Sequence, residues 1–303
     1  MTDASRTQLA VVSETTPGTT PSSPAFDILR YVDENIVAGV TFEKVNEIRS
    51  DRNMQAPQKV GSAPGGPLNC LLSYATFDKL IESLMFGAFT SNILKNGTTK
   101  KTLTLEKIFE TGATDQYHRI KGVQVDSMTL ALQAQKNIAV NFSTLGMSFD
   151  SSQAALAGAT YTAANENPVM TASNSVGSLG IDGAAGADLL SINLTISNSL
   201  RHQPKITTED NKGIGSGLFE VTGTLQAYFE NEDLYELYLD ATESDLSFHV
   251  GGVSSKKYLF EMDNIKFTGG SVVSGGNGQD VIANMEFTAY LSVDNTLKIT
   301  RTP

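Results

Sequence analysis

One arrangement of residues is written twice along this chain, and a fold that suits one copy must suit both. The first copy opens with NEIRSDRN at Asn46, crosses a Gly/Pro-rich stretch into PLNCLLSYATFDKLIESL, and ends near Leu84. The second opens with NSLRHQPK at Asn198, crosses GIGSG into LFEVTGTLQAYFENEDLYELYL, and ends at Leu239. Each reads as a strand, a glycine-rich irregular loop, an alternating strand ending in an aromatic residue, and a short amphipathic helix. Tyr74 matches Tyr228 and Leu80 matches Leu234 at one common spacing. Downstream, GVQVDSMTLALQAQKNIAVNFSTLGMSF and NIKFTGGSVVSGGNGQDVIANMEFTAYLS both read as two strands and a turn. The repeated unit is about 150 residues long, an ordinary domain size.

The repeat divides the chain. Residues 1–25 are polar and carry Pro17, Pro21 and Pro24, which favour extended backbone; they are expected to form an arm that orders only against neighbours. Residues 26–150 then make the first copy, 151–190 a linker and second arm rich in Ala, Ser, Gly and Asn, and 191–303 the second copy. Residues 50–67 and 202–217 are expected to be long irregular loops of the kind that order on binding. Helix signals stand at Thr76 as N-cap and Gly87 as the stop, and again from Asn231. Leu80, Ile81, Leu84 and Met85 make the first apolar stripe, and Leu234, Tyr235, Leu237 and Tyr238 the second. Helices this short must pack on a sheet to exist.

Composition narrows the function. The 22 Lys and Arg against 33 Asp and Glu give a net charge of −11, the wrong sign for gripping nucleic-acid phosphates but suitable for a wall past which DNA slides. The N-terminus lacks the basic start and apolar core of a signal peptide, so a protein made and kept inside a cell is expected. Cys70, alone and flanked by Leu71 and Leu72, reads as an inert core thiol rather than a reactive one. His118, His202 and His249 stand singly, without zinc-ligand spacing. GGNGQD at Gly275–Asp280 resembles one turn of a calcium-binding nonapeptide, yet such turns work only when stacked, and a hairpin loop is the better reading. DNKGIGSG from Asp210 puts Lys212 and Ile214 where an EF-hand needs oxygen ligands, and no Gly-Lys-Ser/Thr follows for a phosphate loop. No nucleophile elbow or paired-carboxylate motif is present. The expectation is a structural protein with no catalytic, cofactor-binding or metal residues.

Together, ETTPGTTPSSPAFDILRY, NEIRSDRN and LSYATFDKLIESLMFG resemble the tail tube proteins of long, non-contractile-tailed bacteriophages. The likeness covers the first half and extends to the second through the repeat. It implies a mainly β fold: two tandem antiparallel β-sandwich or half-barrel tube domains, each flanked by one short α-helix. It further implies that subunits close into rings, that rings stack into the tail tube of the virion, and that genomic DNA passes through the lumen without tight binding. Implied partners are other copies of the chain, the tape-measure protein, the tail terminator and the distal tail protein, with assembly in the host cytoplasm and no membrane. The duplication favours three chains per ring with pseudo-sixfold symmetry. The alternative is a β-rich self-assembling surface or secretion-tube protein of the type VI or contractile-tail kind, although such tubes usually carry one domain per chain.

Overall fold

The structure, a computed structural model, describes residues 3–112, 114–182, 188–252 and 255–303. Its first half contains β1 (Thr7–Ser13), β2 (Ala25–Leu29), β3 (Asp33–Glu34), β4 (Val40–Glu43), β5 (Gln58–Ser62), β6 (Gly65–Leu71), α1 (Asp78–Met85), β7 (Ile93–Lys95), β8 (Leu103–Phe109), β9 (Gln116–Gln133), β10 (Ala139–Leu145) and β11 (Ser148–Ser152). A connector contributes β12 (Thr160–Thr162) and α2 (Ala172–Ser175). The second half contains β13 (Val176–Ile181), β14 (Leu189–Ser197), β15 (Arg201–Lys205), β16 (Thr208–Gly215), β17 (Glu220–Tyr228), α3 (Asp233–Leu239), β18 (Ser244–Gly251), β19 (Lys257–Ser274), β20 (Val281–Ala289) and β21 (Lys298–Thr302).

The fold is mainly β, and the two halves share one strand order. In the first the antiparallel ladders run β1–β8–β9–β10–β6–β3. In the second they run β13–β18–β19–β20–β17–β14. β11 returns beside the start of β9 just as β21 returns beside the start of β19. Both β9 and β19 are long enough to serve two layers: their first residues pair with β8 or β18, and their last residues with β10 or β20. A one-residue bulge marks the change, leaving Asp126 unpaired in one copy and Thr268 in the other. After the bulge β9 alternates strictly, with Met128, Leu130 and Leu132 buried. The helices α1 and α3 cover the same side of β9 and β19, and one continuous apolar core runs from Leu9 through both halves to Ile299.

Several expectations are corrected by this architecture. Residues 7–13 are no free arm: β1 lies between β2 and β8, with Leu9, Ala10, Val11 and Val12 buried. ETTPGTTP is tied to its own subunit as well. The Glu14 carboxylate accepts from Gly18 N–H at 2.8 Å, Thr104 Oγ1 at 2.7 Å and Gly122 N–H at 2.9 Å. Neither expected loop is irregular throughout: residues 50–67 supply β5, which pairs with the earlier β4, and residues 202–217 hold most of the β15–β16 hairpin. Phe77, not Thr76, precedes α1, because the Thr76 hydroxyl is engaged with Ser73 Oγ at 2.6 Å. The left-handed stop is Phe86 at φ 48° rather than Gly87, its ring held in the core beneath Lys100. Glu232, not Asn231, precedes α3; Asn231 lies one residue earlier and accepts from Asp233 N–H at 3.2 Å. The spacing that joins Leu80 to Leu234 holds for the helices but fails for the strands. With the two bulges aligned, Tyr228 falls at Leu71, whereas Tyr74 lies in the longer β6–α1 connection.

The connector is structural too. β12 pairs in parallel with β2, and Tyr161 stacks on Phe26 with ring centroids 5.4 Å apart. Its hydroxyl donates to Glu106 Oε1 at 2.6 Å, while the other Glu106 oxygen takes the guanidinium of Arg119. Arg119 also donates to the Ala154 carbonyl at 2.8 Å. Burial first, then the Glu106 carboxylate, raise the Tyr161 phenol far above its ordinary value, so it remains a donor. Both ionic partners are sealed from solvent. Arg119→Leu alone should therefore cost about 3–5 kcal/mol in urea unfolding, because it strands a buried carboxylate. Replacing both partners by Leu should cost clearly less; an equal cost for the single and double variants would show that packing, not charge pairing, dominates there.

Candidate functional site

An alternating strand in a one-sided sheet sends its other residues away from the core, and here those residues form one nearly uncharged face spanning both halves. The inner layer runs β3–β6–β10–β9–β14–β17–β20–β19, with β9 and β14 joining the copies through seven pairs from Ser191↔Gln133 to Ser197↔Ser127. One cross-strand row on its outward side reads Asn69, Asn141, Thr129, Thr195, Thr222 and Thr288. A second reads Gln133, Ser191, Gln226, Asn284 and Ser271. Between them lie Ala139, Ala131, Asn193, Thr224 and Glu286. Glu286 is charged, and the first row ends on two charged residues, Asp33 opposite Asn69 and Lys266 opposite Thr288; the positions between are neutral. Neighbouring amides and hydroxyls bond to each other, Ser191 Oγ to Gln226 Oε1 at 3.1 Å and Gln226 Nε2 to Asn284 Oδ1 at 2.9 Å. Such a face is wettable, and it lacks the paired cations that would hold a polyanion.

The joint between copies is reinforced at two points. Asn198, buried just after β14, donates through Nδ2 to Leu84 O at 2.7 Å and Val125 O at 3.1 Å, tying the second copy to the end of α1 and to the bulge of the first. In the outer layer, Tyr258 donates to Asp78 Oδ1 at 2.6 Å and accepts from Ala75 N–H at 2.8 Å. Arg301 reaches Asp78 Oδ2 at 2.5 Å and lies over the Phe89 ring. Burial, followed by Asp78, pushes the Tyr258 phenol well above its usual range, so this donor persists at any physiological pH. Neither Asn198 nor Tyr258 carried a sequence signal for this role, since each acts across the chain rather than within a motif.

The layer ends in two open edges and one projecting side. Among the described residues β3 is a two-residue strand with no partner beyond β6, and β19 beyond the bulge pairs with β20 alone. The hairpins β4–β5 and β15–β16 lie side by side, joined by Lys59–Glu209 at 2.5 Å and by Asn211 Nδ2 to Ser62 O at 2.9 Å. Both carry exposed apolar residues, among them Phe42, Ile48, Met54 and Ile206.

The remaining sequence candidates are placed apart. Cys70 is buried in β6, where burial, with Asp33 adding, pushes its thiol up to about 12. His118 sits between the rings of Phe109 and Phe149, and His202 faces the Pro64 carbonyl. Gly275–Asp280 links β19 to β20, and Asp210–Gly215 lies within β16. Among the described residues no group of three or more His, Cys, Asp and Glu side chains could hold a metal, and no helix is long and apolar enough to cross a membrane.

The sequence model of the family described as phage tail tube protein matches residues 4–289, nearly the whole chain. The chain belongs to the phage tail tube protein family. A comparison with curated proteins finds no match. Membership makes this a structural component of a phage tail, and the matched span takes in the first copy and the second through β20, so a tail tube protein is here built from a tandem pair of like-ordered sheets.

Proposed function

We propose that three copies of this tail tube protein close into a ring whose inner sheet surrounds a channel, and that rings stack into the tube of a long, non-contractile tail through which DNA leaves. The observation that carries this reading is the β9–β14 joint: one module already pairs with its own repeat edge to edge, which is how a ring of like modules would grow. The modules are taken as residues 7–152 and 176–302, with the connector between them. Eight inner strands per chain would then give 24 around a ring of three. The apolar hairpins on one side supply surface for the next ring, and the tape-measure, terminator and distal tail proteins would be the further partners of lumen and ends. Negative-stain microscopy with native mass spectrometry tests this reading. Rings or hollow tubes with three chains per ring are expected; six chains per ring would overturn the module count, and a persistent monomer under all assembly conditions would overturn the tube.

The polar rows would face the channel, so passage would rest on neutrality rather than on an acidic wall; the charge of −11 lies mainly elsewhere. Assembled tubes should show no sub-micromolar affinity for duplex DNA at 0.15 M salt. The triple variant Thr129→Lys, Thr195→Lys, Thr222→Lys should acquire affinity that falls steeply with salt, because lysines that neutralise phosphates release counterions. Filter binding of intact tubes measures both, and tight binding by the wild type would refute the neutral-channel argument.

A further inference from the structure

Resting on the ring reading, the internal joint assigns a register to the contact between chains. With the bulges at Asp126 and Thr268 aligned, Ser127 corresponds to Gly269, Leu130 to Val272 and Ala131 to Val273. Following the ladders to the other edge, Asp33 corresponds to Ser191, and the next residues run in step, so that Ile36 corresponds to Leu194. Within the chain Leu194 pairs with Leu130, and Asn193 with Ala131. We propose that the open edge of β19 pairs antiparallel with residues 34–38 of a second copy, Val272 opposite Ile36, Val273 opposite Asn35 and Ser271 opposite Val37.

The single chain shows both edges waiting for this partner. Asn35 N–H bonds Pro67 O at 3.0 Å, and Val37 and Gly65 exchange bonds at 2.9 and 3.0 Å, so the Ile36 N–H and C=O point away from β6. There they are held by side chains of the same subunit. The Glu34 carboxylate accepts from Ile36 N–H at 2.9 Å, Lys107 Nζ donates to Ile36 O at 3.2 Å, and the two side chains pair at 2.7 Å. At the corresponding Leu194 the edge is filled by β9 instead. Glu34 and Lys107 thus guard the edge of the lone chain by occupying the groups that a neighbouring strand would use, and the Val272 backbone would displace them on closure. On the outward side Val37 and Val273 are about half exposed, at 49% and 52%, and pairing would cover them.

Disulfide trapping reads the register directly. With Ile36 and Val272 as the hydrogen-bonded pair, Asn35 and Val273 form the closer, non-hydrogen-bonded pair, which suits a disulfide, while a partner two residues along lies beyond reach. Asn35→Cys with Val273→Cys should, on mild oxidation of assembled protein, run as a covalent trimer on a non-reducing gel. Val37→Cys with Val273→Cys should stay reduced, and the buried Cys70 should not contribute. Cross-linking of the out-of-register pair, or of neither pair in tubes visible by microscopy, would overturn the register while leaving the tube. Wild-type protein that never forms rings would overturn the proposed function itself. Should the double variants fail to assemble, hydrogen exchange of wild-type protein decides: peptides covering residues 31–39 and 268–275 should gain protection on assembly, and unchanged exchange in either would sink the pairing.

Discussion

Deleting residues 1–25 is expected to abolish cooperative folding, not merely to shorten tubes. β1 pairs along its whole length with β8 and partly with β2, and it is the last strand on that side apart from β2 and the connector strand β12. Four consecutive residues, Leu9 to Val12, are buried, two in the main core and two under Phe26 and Tyr161. Burying a Leu or Val side chain is worth about 1.5–3 kcal/mol. The loss from three such residues approaches the roughly 5–15 kcal/mol that separates a folded domain from its unfolded chain. The deletion also strips the ladder partners of β8 and removes Glu14, which holds the Thr104 hydroxyl and the Gly122 amide. Gly122 cannot compensate by gaining a side chain, since at φ 64° a Cβ would fall 2.5 Å from Met147 Sδ. Circular dichroism and thermal melting measure the outcome: aggregation or a lost transition is expected. A control deletion of residues 1–5, whose described members Asp3 to Ser5 are exposed, should shift stability by less than about 0.5 kcal/mol. A protein lacking residues 1–25 that melted like the wild type would show β1 to be dispensable.

That β1 escapes a reading by composition has a physical cause. Averaged over 25 residues the segment is polar and punctuated by prolines, and the average conceals LAVV, a short apolar run of the kind that fills a fully buried strand. The repeat itself was legible, as were both helices and the alternating second strands, because these are local patterns of period 3.6 or 2. Cross-chain pairing was not: nothing in Thr160–Thr162 announces β2 as its partner, and Asn198 or Tyr258 become joints only when the two copies meet. Tyr74 and Tyr228 illustrate the limit of matching by eye. Both are aromatic a few residues before a helix, yet Tyr74 lies in a connection and packs on Tyr258 while Tyr228 ends β17 and is exposed, since the connection to the helix is longer in the first copy. The inner polar face was written in the alternation all along, in residues such as Thr129, Asn141, Asn193 and Thr224. Its outward direction, and its continuity across two copies, required the ladders.

Leu80→Asp should unfold both halves at once. Leu80 is fully buried on α1, a helix of eight residues with no side-chain cap, so the helix persists by packing, chiefly on β9 and also on β1 and β7. A carboxylate there has no cation to meet; Asp78 already engages Tyr258 and Arg301 at the helix start, and Lys79 pairs outward with Asp27. Leaving an unpaired charge in an apolar core, or holding it protonated, costs several kcal/mol, to which the lost leucine packing adds about 2–5 kcal/mol. The sum is comparable with the whole stability of a domain. If the copies were independent, the second would survive, but the main core is one cluster spanning both copies, in which Leu130 and Leu132 of β9 pack in register with Leu194 and Ile192 of β14. The Asp78 contacts to Tyr258 and Arg301 would go with the helix, removing the second tie between halves. Calorimetry of the wild type should accordingly show one transition, and Leu80→Asp should eliminate it, with Leu234→Asp doing the same from the other side, since Leu234 belongs to the same cluster. A Leu80→Asp protein that kept a melting transition, with protease-resistant residues 176–302, would mean that the β9–β14 joint is too weak to couple the copies in folding.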